Sequence, residues 1–325
     1  MTELVAADIG GTHARFAIAE VEGGRVLSLG EPFTVRTADH PGLEQAWAAF
    51  AAHLGQPPPA AAALAIAGSV RDDVLGFTNS PWTLPVARLH HALGLDFYRL
   101  INDFGALSHA VAHAGAACFR HICGPDRPLP NDGAITIVGP GTGLGVGLLL
   151  RAAGHYHVVE TEGGHADFAP VDAVDDLILA HLRDRFGRVS TERILSGPGL
   201  AAIAAALAAA EGASFDKGEV REVWDLALAG EDRFAALALE RFCLSLGAVA
   251  GDLALAQGAA GVVIAGGLGL RLAEHLPASG FAARFAAKGR FEPRMRNIPV
   301  KLITHPQPGL LGAAAAYARG DEDGA

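Results

Sequence analysis

Short apolar runs broken by glycine turns set the pattern of the N-terminal third. Leu4-Val5-Ala6-Ala7 leads into Asp8-Ile9-Gly10-Gly11-Thr12, and Ala14-Arg15-Phe16-Ala17-Ile18-Ala19 leaves it with partial alternation. Short, partly alternating runs of this kind predict strands, here at 4–9 and 14–20, with another at 26–34. A helix is predicted over 41–54, and the rigid loop Gln56-Pro57-Pro58-Pro59 separates it from a strand through Ala62, Leu64 and Ile66. Tyr98-Arg99-Leu100-Ile101 reads as a strand that delivers Asn102-Asp103 to its C-terminal end, and a helix continues from Phe104 to Ala114. Ligands of open α/β sheets sit at that end.

The pattern recurs further on. Ala134-Ile135-Thr136-Ile137-Val138 enters a turn with glycines at 139, 141, 143 and 145, and Val146-Gly147-Leu148-Leu149-Leu150 leaves it as a strand. Helices follow at 171–186, 199–210 and 232–257, then a buried strand from Gly261 that ends in Gly266-Gly267. A closing helix spans Gly309 to Arg319. One strand-turn-strand unit in each half hints at a duplication, although no repeat aligns along the sequence.

Each turn is followed by a strand, whereas the P-loop and the dinucleotide fingerprint both place a helix directly after their glycines. No Gly-Lys-Ser/Thr sequence occurs in either turn. Consecutive backbone N–H groups in such turns can face an anion, and Thr12 and Thr142 add hydroxyl donors. One such turn alone fits an ordinary hairpin equally well; two with the same groups favour a nucleotide.

At 325 residues the chain is long for a single core, which stops growing at roughly 250–300 residues, and two lobes with a cleft between them are expected. The boundaries expected are a small α/β domain of 1–113 plus 304–325 and a large α+β domain of 114–303. Half of the residues are apolar and 18% are charged, enough for a close-packed interior. A net charge of −10 without a basic cluster argues against nonspecific binding to nucleic acid or anionic membrane. No secretory signal and no uninterrupted bilayer-length apolar run stand out, and the 3 cysteines give no disulfide framework. A cytoplasmic protein is expected.

Several residues carry chemistry. Asp103 fits two roles, a cap on the following helix or a general base taking a proton from an attacking hydroxyl. Glu162, Gly163-Gly164 and His165 suit a polyol, whose hydroxyls need acceptors and donors in fixed directions. His155 and His157 alternate as on one exposed strand face, and neither a HExxH helix nor a Cys/His finger pattern accompanies them. Glu192 is a further carboxylate or a surface ion-pair partner of Arg193 or Arg188. Asn79 reaches a ligand or makes an Asx turn. Gly266 and Gly267 allow close approach of a ring or ribose, or form a plain strand-to-helix turn.

Taken in order, ADIGGTHARF, LAIAG, TNSPW, LINDFGA, GPGTGLG, EGGHADFAP, ERILSGPGL, IAGGLG and PGLLGAAA cover nearly the whole chain. The set resembles the ATP-dependent bacterial glucokinases of the hexokinase, Hsp70 and actin superfamily. The resemblance implies a two-lobed actin-like (ribonuclease H-like) α/β fold with a central cleft, and transfer of a phosphoryl group from MgATP to the 6-hydroxyl of glucose. It implies Asp103 as the catalytic base. Asn79, Asn102, Glu162, His165 and Glu192 would be sugar ligands, and Asp8 would place hydrated Mg²⁺. Gly10, Gly11 and Thr12 would form one phosphate loop and Gly141, Thr142 and Gly143 the other, with Gly266 and Gly267 lining the adenosine pocket. Family members are similar in being homodimers. The Cys-rich zinc motif of the related ROK sugar kinases is absent. A sugar sensor without transfer activity and a kinase for another hexose are the rival expectations.

Overall fold

The computed structural model describes residues 1–71, 73–77, 80–216 and 218–322. The chain divides into two compact units, Met1–Gly115 with His305–Ala325, and Ala116–Thr304.

The first unit is built on β1 (Thr2–Ile9), β2 (His13–Glu22), β3 (Arg25–Leu29), β4 (Phe33–Arg36), β5 (Ala61–Ile66) and β9 (Phe97–Asn102), with sheet order β3-β2-β1-β5-β9 and β4 also on β2. A separate three-stranded antiparallel sheet comprises β6 (Gly68–Arg71), β7 (Val74–Phe77) and β8 (Thr83–Pro85). The expected single strand at 26–34 is in fact two, β3 and β4. Gly30 N–H still donates to Ile18 O (2.8 Å), one step past the Leu29↔Ala19 pair, but Pro32 has no N–H to offer, so pairing stops there and resumes at Phe33↔Phe16.

Period-two alternation places successive side chains of β1 in two different cores. Val5, Ala7 and Ile9 pack with Trp47 and Phe50 of the helix Leu43–Leu54. Leu4 and Ala6 face the other way, onto Leu310, Ala313, Ala314 and Ala316 of the closing helix Pro308–Glu322. The second core is mostly alanine, so the helix lies close to the sheet. Gly312 brings it equally close to the helix Asp103–His113: a Cβ at that glycine would stand 1.7 Å from Ala106 O.

The second unit repeats this plan. Its sheet contains β10 (Phe119–Cys123), β11 (Gly133–Pro140), β12 (Leu144–Ala152), β13 (His155–Thr161), β14 (Gly261–Ile264) and β15 (Val300–Ile303), in the order β10-β15-β14-β11-β12-β13. β11 is antiparallel to β12 and parallel to β14, as β1 is antiparallel to β2 and parallel to β5. The buried and exposed positions of 141–149 follow the same succession as those of 11–19. The duplication hidden in the sequence is therefore visible in strand order and burial.

Helix Arg233–Ala256 packs on the second sheet, and helices Ala173–Phe186, Gly197–Ala210 and Val220–Ala229 share its core through Leu179, Leu200 and Trp224, with Phe242 on the long helix. Although no bilayer-length apolar run was expected, Arg233–Ala256 is by length and composition apolar enough to cross a bilayer; most of that stretch is buried in the core of this unit. Asp172 caps the first of these helices through the Val174 and Asp175 amides and is held by Arg241 and Arg284. Buried Asp175 shares both guanidinium groups, so the network ties three helices together.

Candidate active site

Both glycine turns are hairpins. β1 pairs with β2 through to Ile9↔Ala14, and β11 pairs with β12 through to Pro140↔Leu144. In the first, Gly10 N–H donates to His13 O (3.0 Å). Thr37 then clamps the tip from the far side: its hydroxyl donates to Gly11 O (2.6 Å) and its amide to Thr12 O (3.0 Å). With those carbonyls turned toward Thr37, no backbone acceptor among the described residues takes the Gly11 or Thr12 amide. A turn with amides in this state is ready to receive an anion.

Asp8 lies one residue before the end of β1, directly across the hairpin from Arg15, whose Nη1 donates to Oδ2 at 3.1 Å. Burial pushes the Asp8 pKa above the ordinary carboxylate range, and the Arg15 charge and hydrogen bond oppose that shift only in part. The carboxylate also rests against the first turn of the closing helix, where a Cβ on Gly309 would lie 2.5 Å from Asp8 Cγ.

Asn102 and Asp103 reach the same end of this sheet. Ile9 pairs with Ile66, and Ile66 with Asn102, across the parallel strands β1, β5 and β9. The first turn and Asp103 therefore leave the C-terminal ends of strands two positions apart, roughly 10 Å at ordinary strand spacing. The helix begins at Asp103, one residue before the expected start. Asn102 is its cap, because Asn102 Oδ1 accepts the Phe104 and Gly105 amides at 2.8 and 3.3 Å. Asp103 Oδ1 adds a short contact to the Phe104 amide at 2.9 Å. Asn79 lies outside the described residues.

In the second unit the remaining candidates come together around the second turn. Gly197 N–H donates to Gly141 O (2.8 Å), and Trp224 Nε1 fixes Gly197 in turn by donating to its carbonyl (3.0 Å). Gly266, with φ +76°, approaches Pro140 O so closely that a Cβ would stand 2.6 Å away. This follows from register, since Val138 pairs with Ile264 and both strands end side by side. Thr142 is exposed at the tip.

Glu162 and His165 flank the Gly163–His165 turn, with Glu162 Oε2 3.9 Å from His165 Nε2 and both side chains largely exposed. A strap binds this segment to the one carrying Glu192. Thr191 donates its hydroxyl to Gly164 O (2.6 Å) and its amide to Ala166 O (2.8 Å), and Arg188 donates to His165 O (2.6 Å). Glu192 is not in an ion pair with Arg188 or Arg193. Arg188 pairs with Asp167 (2.7 Å), Arg193 lies over the Phe186 ring, and Glu192 Oε2 accepts the Leu144 amide (3.0 Å). His155 and His157 are exposed on edge strand β13, and among the described residues no group of three or more His, Cys, Asp or Glu could hold a metal ion. The cysteines are free.

Thr37, Thr191 and the Leu144 amide were not among the residues expected from the sequence. Thr37 and Thr191 act through backbone carbonyls of distant segments, which leaves no spacing rule to read. The Asp8–Arg15 pair was within reach, because the length of a hairpin turn fixes which residues face each other across it, here four residues between Ile9 and Ala14.

Two units of matching strand order, each with a glycine hairpin and with carboxylates nearby, fit a phosphotransferase of the actin-like, ribonuclease H-like α/β class. Known proteins narrow this class. A family model described as Glucokinase matches residues 5–320. The glucokinase of Zymomonas mobilis subsp. mobilis is 63% identical over 316 residues, covering 97% of this chain and 98% of that one. A crystal structure of glucokinase from an Antarctic psychrotroph superposes with a TM-score of 0.84 at 33% identity, covering 97% of this chain and 98% of that one. A ROK family glucokinase from Streptomyces griseus, in complex with glucose and AMPPNP, shares the fold at a TM-score of 0.63 and 22% identity, covering 98% and 99%. The chain belongs to the glucokinase family.

Proposed function

We propose that this protein transfers the γ-phosphoryl group of ATP to the 6-hydroxyl of glucose, giving glucose 6-phosphate and ADP. The observation that carries the reading is the placement of Asp103 and the first anion turn at one end of three adjacent parallel strands. The family match over residues 5–320 supports the substrates, as does the pair of ligands held by the Streptomyces griseus protein.

In this reading Asp103 takes the proton from the 6-hydroxyl as its oxygen bonds to the γ-phosphorus, and the bond from that phosphorus to the β-γ bridging oxygen breaks to release ADP. Such transfer depends on positioning and charge neutralisation more than on covalent help. Glu162, His165 and Glu192 bond sugar hydroxyls; Asn102 joins them through Nδ2, because its Oδ1 caps the helix. Asn79 is assigned the same role from its motif. The Gly10-Gly11-Thr12 and Gly141-Thr142-Gly143 turns receive the phosphates, and Gly266 and Gly267 border the adenosine.

Asp8 fits Mg²⁺, a hard cation that keeps its water and needs few protein oxygens beyond the substrate phosphates. When bound, the ion would neutralise phosphate charge, with Asp8 holding it through water. The same reading includes a homodimer, to be checked by light scattering, and a cytoplasmic location, to be checked by fractionation.

An ADP-release assay with glucose, mannose and fructose, using ATP or polyphosphate as donor, tests the proposal. The expected result is the highest kcat/KM for glucose with ATP and Mg²⁺. Absence of glucose-dependent ADP release from folded protein would reject it.

A further inference from the structure

Leu144, the residue just past the second phosphate turn, is held at both ends of its peptide by segments assigned to sugar. Its N–H donates to Glu192 Oε2 at 3.0 Å. Its carbonyl lies against Gly164, where a Cβ would come within 2.0 Å of the oxygen. Leu144 itself is 5% exposed, so water is a poor substitute partner for that amide.

Gly143 completes the arrangement. A Cβ on it would stand 2.3 Å from Glu192 Oε2 and 3.1 Å from Cδ. Its φ lies outside the left-handed region, so the backbone does not require glycine there; the carboxylate does. The strap from Thr191 to Gly164 and Ala166 fixes the base of the Glu192 side chain, and Leu195 N–H closes the short helix onto Thr191 O.

We infer that Glu192 is a positioning residue for nucleotide as well as a sugar ligand. One carboxylate oxygen holds the second phosphate turn through the Leu144 amide, while the other accepts from a sugar hydroxyl. This rests on the assignment of Glu192 to the sugar. A hydroxyl on the second oxygen fixes the carboxylate plane and so keeps the first oxygen on Leu144. Glucose then tightens nucleotide binding, and nucleotide tightens glucose binding by the same factor, as linkage requires.

Isothermal titration of three variants, each confirmed folded by circular dichroism, tests this with AMPPNP and glucose applied singly and together. Glu192→Ala removes the turn's partner, and AMPPNP without sugar should bind about tenfold more weakly, the loss of one charge-assisted hydrogen bond. Glu192→Gln keeps an oxygen for Leu144 but presents an amide NH2, a donor, to the sugar. AMPPNP alone should then bind more tightly than in Glu192→Ala, short of wild type only by the lost charge assistance, while glucose weakens and the coupling falls to about one. Gly143→Ala displaces only the far end of a flexible side chain, so the fold survives, yet glucose alone should bind about tenfold more weakly.

Unchanged AMPPNP affinity in Glu192→Ala, or unchanged glucose affinity in Gly143→Ala, overturns the inference. A wild-type protein that binds no glucose would instead strike at the sugar assignment. The nucleotide measurement in Glu192→Ala uses no sugar, so it decides the Leu144 contact in either case.

Discussion

Gly309 and Asp8 meet face to face: the helix that closes the chain begins where a side chain on residue 309 would collide with the Asp8 carboxylate, 2.5 Å from its Cγ. The carboxylate cannot simply swing aside, because Arg15 holds it across the hairpin. Gly309→Ala should therefore move Asp8, and displacements near 1 Å at a reacting centre cost about a hundredfold in rate. Initial rates against MgATP check this. Thermal melting should show a smaller loss than Gly312→Ala does, since the clash is with a side chain and not with main chain.

The acid limb of activity should depend on Arg15. Asp8 binds its proton more tightly in the folded state than in the unfolded one, burial being the main cause. Its contribution to stability is therefore fullest at low pH and declines as pH rises through the folded pKa. For catalysis the ionised form is the one that suits a metal. Arg15→Met removes the group that opposes burial, so the acid limb of kcat/KM for MgATP should move to higher pH. A pH profile with an unmoved limb would separate Asp8 from the reaction.

Asp103→Asn should lower kcat by at least about a hundredfold, the low end for general base catalysis. Glucose binding should persist. The fold should persist as well, since Asn102 is the helix cap and the Asp103–Phe104 contact is local. Rapid-quench turnover with calorimetry of glucose binding distinguishes lost chemistry from lost binding.

Gly312→Ala should destabilise the protein, and it also strains the two helices that begin at Asp103 and beside Gly309. The added methyl meets Ala106 O, a main-chain atom that cannot rotate away, so two helices must separate. Overpacking of this kind costs about 3 kcal/mol or more at its severe end. Urea unfolding should show a lower midpoint.

Asp172 should govern stability at acid pH. Burial works against its charge, but the Asp175 amide and the Arg241 and Arg284 guanidinium groups outweigh it and hold its pKa at about 2. A carboxylate depressed in the folded state stabilises above its unfolded pKa, and that stability is lost as pH falls through the folded value. Asp172→Asn should thus be less stable than wild type at neutral pH. The difference should shrink as acid is added down to about pH 2, as followed by thermal melts.

The hairpin character of both glycine turns was legible because period-two runs flank each turn and no helix pattern follows. The long helices were legible too, within a few residues of their ends. The strand split at Gly30 and Pro32 was missed although both residues are strand breakers in plain view. Asn102 as the cap was also missed. Its own side chain accepts the amides two and three residues on, a local geometry that Asp103 imitates one residue later. The sheet of β6, β7 and β8 has strands too short to carry a period.

What the sequence by itself determined is the set of local conformations and the chemical types: strand, turn and helix from periodicity and glycine, carboxylates and hydroxyls from composition, and the family from the order of the motifs. These depend on neighbours along the chain. Only the tertiary structure decided that Thr37 grips the first turn, that Glu192 caps Leu144 when an arginine stood next to it in sequence, and that Asp8 lies against Gly309. Each of those contacts joins segments whose separation along the chain carries no energetic signal, and packing alone selects the partner.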